Sequence, residues 1–167
     1  MAVSDAEFGK LLEEIAPQLE SYVLQTTGSQ ELAENLTRGT IYKAWQARER
    51  WSGQSFRAWI FRILHNHRID EARKWERQNV VATDQIDEIA VDPINATPGD
   101  LAMMHEEIRE IWSKLSEEHR QVILLVGVHG HSAAEAAEML RVAEGTVTSR
   151  LTRAHTMAKR HRAELES

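Results

Sequence analysis

The stretch His131–Arg160, HSAAEAAEMLRVAEGTVTSRLTRAHTMAKR, decides the fold. Two helices and a tight turn are written into it. Ser132 and Glu135 stand at capping-box spacing: the serine hydroxyl accepts from the Glu135 backbone N–H, and the glutamate reaches back. Ala133, Ala134, Ala136 and Ala137 follow, small enough for two helices to cross closely. Leu140 and Val142 bracket a short turn, and a second helix starts near Gly145-Thr146. On a 3.6-residue wheel Val147, Leu151, Ala154 and Ala158 share one face. Thr148, Ser149, Thr152, Arg153, Thr156, Lys159 and Arg160 lie opposite. Short hydroxyls beside long cations are what a groove-inserted helix uses on base edges and phosphates. A helix pair with a merely solvated cationic face gives the same wheel. One residue resists the pattern: Arg141 holds the turn position that suits glycine, where a left-handed backbone costs roughly 1–2 kcal/mol.

The charge distribution bears on that choice. The net charge of -6 and a pI near 5.8 look wrong for a nucleic-acid binder. Its arrangement matters more than its sum. Arg57, Arg62, Arg68, Arg73, Lys74 and Arg77 make one basic stretch, and Arg141, Arg150, Arg153, Lys159, Arg160 and Arg162 a second. The acids concentrate between them, from Asp84 to Glu118. Two separated basic patches fit two contacts on one extended polyanion, although either alone is also what a solvated face looks like.

The 167 residues suffice for one medium domain or two small ones. No apolar run is long enough for a bilayer, and MAVSDAEFGK lacks the basic and apolar regions of an export signal. The expectation is a cytoplasmic protein with no membrane insertion. Cysteine is absent, which excludes disulfides and thiolate metal sites.

No strand-period alternation is sustained, so the reading is all-α, in two small helical domains. Ser4 and Glu7 cap a first helix reaching about Thr26, ended by Thr27-Gly28. Ser29 caps a second, to about Arg50. Trp51-Ser52-Gly53-Gln54 is a loop, and a third helix runs from Ser55 to about Gln78. From Asn79 the texture turns acidic and holds Pro93 and Pro98, a linker composition. Helices resume near Asp100 and run to Lys114. Ser116 caps the next, which carries the apolar run Val122–Val128 and ends at Gly130. The expected division is 1–78, a linker 79–100, and 101–167.

The third helix repays the same wheel. Ile60, Phe61, Leu64, Ala72 and Trp75 fall in one apolar arc, while Arg62, Asn66, Asp70, Arg73 and Arg77 lie opposite. Cations at this spacing follow a phosphate backbone, and Asn66 can donate and accept to a base edge in one plane. Trp51, Phe56 and Trp59 gather at the start of the helix, and rings beside cations stack extruded bases. Rings at helical spacing are also core residues, the expectation for Trp59 and Phe61. Arg62, Asn66 and Arg73 are the stronger contact candidates.

These residues resemble a known family. GQSFRAWIFRILHNHRIDEARK is similar to the second conserved region of group IV (extracytoplasmic-function, ECF) sigma factors of the sigma-70 family. LSEEHRQVILLVGVHGHSAAEAAEMLRVAEGTVTSRLTRAH resembles their fourth region. VILLVGVHGHSAAEAAEM looks most like the general-stress-response (EcfG-like) subgroup. The resemblance implies a promoter-specificity factor without a cofactor, whose partners are core RNA polymerase, promoter DNA and an anti-sigma factor, NepR-like in the stress subgroup. It implies −10 contacts from Trp51, Arg62, Asn66, Arg73 and Lys74, with Arg50 to Ser55 as the base-capture loop. It implies −35 contacts from Thr146, Thr148, Ser149, Arg150 and Arg153. Polymerase would be gripped near Glu31, Glu34, Asn35 and Arg38.

The chain departs from the family pattern at Asn35-Leu36-Thr37-Arg38-Gly39, where an acidic patch is usual. Thr148 and His155 stand where cations are common. A second reading therefore stays open: a sigma-like protein that holds an anti-sigma factor without initiating transcription. An enzyme is disfavoured. His65 and His67 point about 200° apart on a helix and cannot share a metal. His129 and His131 sit at a turn with no carboxylate expected nearby, and no phosphate loop or nucleophile–base pair is present.

Overall fold

The computed structural model describes residues 3–78 and 106–167. The expected acidic linker and the helix start near Asp100 lie outside the described residues. Among these residues the fold is all-α, with seven α-helices and no strand.

Helix α1 spans Asp5–Thr27. Its capping box is complete: Ser4 Oγ accepts from the Glu7 N–H at 3.2 Å, and Glu7 Oε2 accepts from the Ser4 N–H at 3.0 Å. Hydrogen bonds from the Ser4 backbone and then its hydroxyl hold the Glu7 carboxyl below its usual range. Gly28 ends the helix at φ 73, the left-handed conformation that glycine adopts freely. Helix α2, Gln30–Gln46, begins on Ser29, whose hydroxyl accepts from Leu32 N at 3.1 Å. It stops short of Arg50, the expected end, and a 3-10 turn at Arg48–Arg50 follows. There the Arg48 guanidinium takes the Trp45 carbonyl, left over by the helix end, and Asp5 of α1, each at 2.9 Å.

Helix α3, Phe56–Gln78, starts on Ser55, whose hydroxyl accepts from Ala58 N. It buries Ala58, Ile60, Phe61, Leu64 and His67. The expected apolar arc holds only to Leu64. Trp75 is 42% exposed, because from Asp70 onward α3 is exposed apart from a half-buried Ala72. His67 takes the next inward position and lies against Gly39 of α2.

Helix α4 spans Glu106–Lys114 and α5 spans Glu117–Val122, capped by the Ser116 hydroxyl at 3.2 Å from His119 N. The apolar run does not continue as α-helix. Ile123–Val128 is π-helical, with His129 N donating five residues back to Leu124 O at 2.8 Å. This wide turn leaves Val128 65% exposed. Helices α6, Ala133–Leu140, and α7, Glu144–Glu166, form the helix-turn-helix. The Ser132 hydroxyl caps α6 at 3.1 Å from Glu135 N, but the return half of the expected box is replaced: Glu135 meets His131 Nδ1 at 3.0 Å. The histidine turn thus has the carboxylate it was expected to lack. Arg141 closes α6 in the expected strained geometry, φ 56 and ψ 44.

The two halves share one core. Phe61 and Leu64 of α3 and Met139 and Leu140 of α6 line a cavity of about 20 Å³ with Tyr22 of α1 and Leu125. Tyr22 stacks edge-on to Phe61 at 5.1 Å, and burial pushes its phenol up out of the titrating range. Arg120 on α5 is 3% exposed and ties together the ends of two other helices. Its guanidinium donates to the Trp112 and Ser113 carbonyls of α4 and to the Thr26 carbonyl of α1, at 3.0, 3.1 and 3.2 Å. These carbonyls lie in the last turns of their helices, where acceptors are unpaired and the dipole is negative.

Candidate nucleic-acid interface

The face of α7 follows from its wheel. Val147 and Ala154 are fully buried, and Leu151 and Ala158 half-buried. Thr148, Ser149, Thr152, Arg153, Thr156, Lys159 and Arg160 are all exposed. Thr148, Thr152 and Thr156 each donate the hydroxyl back to the carbonyl four residues before, at 3.0 Å. With the hydroxyl proton used internally, each threonine turns a methyl and acceptor lone pairs outward. A base amine or a thymine methyl satisfies that surface. Arg153, Lys159 and Arg160 make no ion pair among the described residues. Arg150 differs: half-buried, it reaches Glu118 of α5 at 3.5 Å. Thr146 is half-buried in the first turn, its N–H donating to Ala143 O.

On α3 the candidate residues divide into two groups. Arg73 and Lys74 are exposed and unpaired among the described residues. Arg62 donates to Glu138 Oε1 at 2.7 Å, and Asn66 Oδ1 accepts from Arg141 at 3.2 Å. Glu138 lies on α6 and Arg141 is the residue that caps its C-terminus. Arg68 joins the same seam through Glu117 at 3.3 Å. Trp51 is half-buried in a ring cluster with Phe8, Phe56 and Trp59 at centroid distances of 5.3–6.4 Å. Its indole N–H donates to Gln54 O at 2.8 Å, so Trp51 shapes the Ser52–Gln54 loop and Ser52, Gly53 and Gln54 themselves stay exposed.

On α2, Glu31, Glu34, Asn35 and Arg38 are exposed and share one side by their spacing. Glu34 accepts from Gln30 at 2.9 Å. Sequence reasoning missed that Tyr42 and Trp45, 64% and 38% exposed, continue this stripe. The i, i+4, i+7 rhythm from Arg38 would have found them. Arg48 lies 4.5 Å over the Trp45 ring.

Three imidazoles line the packed faces, and burial is the first cause holding each below its ordinary range. His65 is raised somewhat by Glu117 and lowered further by Arg150 and Arg141. For His67, Lys43 lowers while Glu71 and Asp70 raise. For His129, Arg57 and His131 lower. Among the described residues no cluster of three His, Cys, Asp or Glu is placed to hold a metal.

An exposed hydroxyl-and-cation face on α7 and a second cationic stretch on α3 are surfaces suited to a two-part nucleic-acid contact. Comparison with known proteins defines which. Residues 11–78 match Sigma-70 region 2, and residues 105–155 match Sigma-70 region 4. The chain is 38% identical over 146 residues to the ECF RNA polymerase sigma factor SigL of Mycobacterium tuberculosis, covering 84% of this chain and 80% of that one. It is 29% identical over 142 residues to the ECF RNA polymerase sigma factor EcfG of Rhodopseudomonas palustris, covering 84% and 76%. The sigma factor RpoE, solved with the anti-sigma factor NepR from Bartonella quintana, superposes with a TM-score of 0.71 at 28% identity over 92% of this chain and 95% of that one. CnrH, solved with the cytosolic domain of CnrY, shares the fold at a TM-score of 0.63 and 22% identity, over 98% and 90%. The chain belongs to the ECF RNA polymerase sigma factors.

Proposed function

We propose that this sigma factor directs promoter-specific transcription initiation with its two halves on two promoter elements. The observation that carries the reading is the α7 face: seven exposed hydroxyl and cationic residues backed by the buried Val147 and Ala154. Thr148, Ser149 and Arg153 read the −35 element. Arg150, held by Glu118, and Thr146, in the first turn, fix the approach of α7. Arg62, Asn66, Arg73 and Lys74 of α3 follow the −10 element. Trp51 braces the loop that receives an extruded base.

The outer side of α2, from Glu31 and Glu34 through Asn35 and Arg38 to Tyr42 and Trp45, grips core polymerase. Arg38 makes this grip less acidic, and the two exposed rings supply apolar contact in compensation. The chain divides functionally at 1–78, 79–100 and 101–167. Its regulator is an anti-sigma factor, as NepR is for the Bartonella quintana relative, and the setting is a stress response in the cytoplasm. No helix among the described residues is long and apolar enough to cross a membrane.

The test is footprinting of chain plus purified core polymerase on bound genomic fragments. Two protected elements about 25 base pairs apart are expected, some 85 Å at 3.4 Å per pair. Glu31→Lys with Glu34→Lys removes both footprints together. A chain that captures an anti-sigma factor but never enters a polymerase complex is the alternative protein, one that sequesters its regulator.

A further inference from the structure

We infer that Thr148, Thr152, His155 and Thr156 form an acceptor-only patch on α7 that reads A·T pairs, through thymine methyls and adenine amines. The inference rests on the −35 reading of α7 given above and names the bases that this face takes.

All four side chains spend their donor on the helix itself. The hydroxyls of Thr148, Thr152 and Thr156 donate to the carbonyls of Glu144, Thr148 and Thr152, each at 3.0 Å. His155 Nδ1 lies 2.9 Å from the Leu151 carbonyl oxygen. A carbonyl only accepts, so Nδ1 carries the proton, and Nε2 of the neutral ring is left as an acceptor. All four residues are exposed.

The four are also contiguous. At 3.6 residues per turn they fall within an arc of roughly 100°, and at 1.5 Å per residue the patch is about 12 Å long. That is the length of about three base-pair steps. Arg153 borders the patch and is exposed. Thr148 and His155 are the two recognition-helix positions where the sequence departs from the cations common in the family.

Major-groove chemistry then selects the bases. An A·T pair presents the adenine amine and the thymine methyl, whereas guanine presents two neighbouring acceptors and its pair has no methyl. Threonine methyls meet the thymine methyl, and the hydroxyl oxygens and Nε2 accept from the amine. Opposite guanine the patch has no free donor, and desolvated acceptors left unpaired are costly. A threonine that turned its proton outward would forfeit its bond to the helix carbonyl. Guanine reading is left to the Arg153 fork, at the edge of the patch.

The test uses the full chain with purified core polymerase on the upstream element that footprinting protects. Uracil in place of a thymine removes one methyl, and purine in place of an adenine removes the amine. Each should weaken binding about fivefold at the pairs facing the patch. Thr152→Ser keeps the hydroxyl and deletes the methyl, so it should abolish the uracil effect at one pair and keep the purine effect. Thr152→Val keeps the shape without the oxygen and should do the reverse. His155→Arg, which replaces an acceptor with donors, should turn the preference at one pair from A·T to G·C. A specific upstream element whose uracil and purine forms bind as well as the natural one would overturn the inference and leave the reading of α7 intact. So would an element of G·C pairs alone, or losses that persist unchanged in both Thr152 variants. Loss of all upstream protection, with the downstream element still protected, would overturn the reading of α7 and the inference with it.

Discussion

A Cβ placed on Gly39 would fall 2.2 Å from Nε2 of His67. The two residues set how closely α2 and α3 cross. The absence of a side chain at Gly39 is thus explained by packing, in the same stretch that departs from the family's acidic pattern. Gly39→Ala gains about 1 kcal/mol of helix propensity but overpacks a buried ring, at a cost of about 1–3 kcal/mol. The expected net loss is about 1 kcal/mol in urea denaturation. Adding His67→Ala should make the Gly39→Ala step neutral or stabilising. A double-mutant cycle with no coupling would place the strain elsewhere.

Stability should fall on mild acidification. His65, His67 and His129 are held below their ordinary value of 6.5, chiefly by burial. The unfolded chain takes up protons at these sites before the folded one does. Their contribution is therefore complete above about pH 7 and is lost as pH falls through 6.5 towards the folded values. Thermal melts at about pH 7.5 and 5.5 should show a lower Tm at the acid end. His129→Gln, which removes the imidazole beside Arg57, should shrink that difference. An equal drop in the variant would assign the acid sensitivity to other groups.

Arg120→Ala should cost about 2–4 kcal/mol, because three helix-end carbonyls lose their donor inside the fold. Arg120→Lys should recover only part of this, since an ammonium cannot present the planar fork that reaches all three. Equilibrium denaturation of the two variants checks the order. A lysine as good as the arginine would mean that charge alone matters here.

Thr148→Lys should raise affinity for −35 duplex and steepen its salt dependence by about 0.9 in log–log slope, the signature of one added phosphate contact. Thr148 is exposed and its hydroxyl is already satisfied by Glu144 O, so the exchange disturbs no packing. Binding isotherms at several salt concentrations measure it. A flat response would move the groove-facing side of α7 away from this residue.

Local signals made much of this fold legible. Ser4, Ser29, Ser55, Ser116 and Ser132 each start a helix where the sequence places them, because a cap depends on three or four neighbouring residues. The strained Arg141 was equally visible, since a turn between two strong helical patterns dictates its backbone. The π-helical turn at Ile123–Val128 left no trace, as an apolar run looks the same in either helix. Arg120 reads as a surface cation until α1 and α4 are brought to it. The pairings of Arg62 with Glu138 and of Asn66 with Arg141 join residues 76 and 75 positions apart, and no periodicity encodes them. Candidate residues were therefore readable one helix at a time, and their mutual occupation was not.

The most direct test of the whole account is run-off transcription with purified core RNA polymerase on a promoter library. The chain should yield discrete transcripts from templates that share two spaced elements, and Arg73→Ala with Lys74→Ala should abolish them without unfolding α3. A chain that binds core polymerase yet produces no transcript beyond core alone on any template would contradict it.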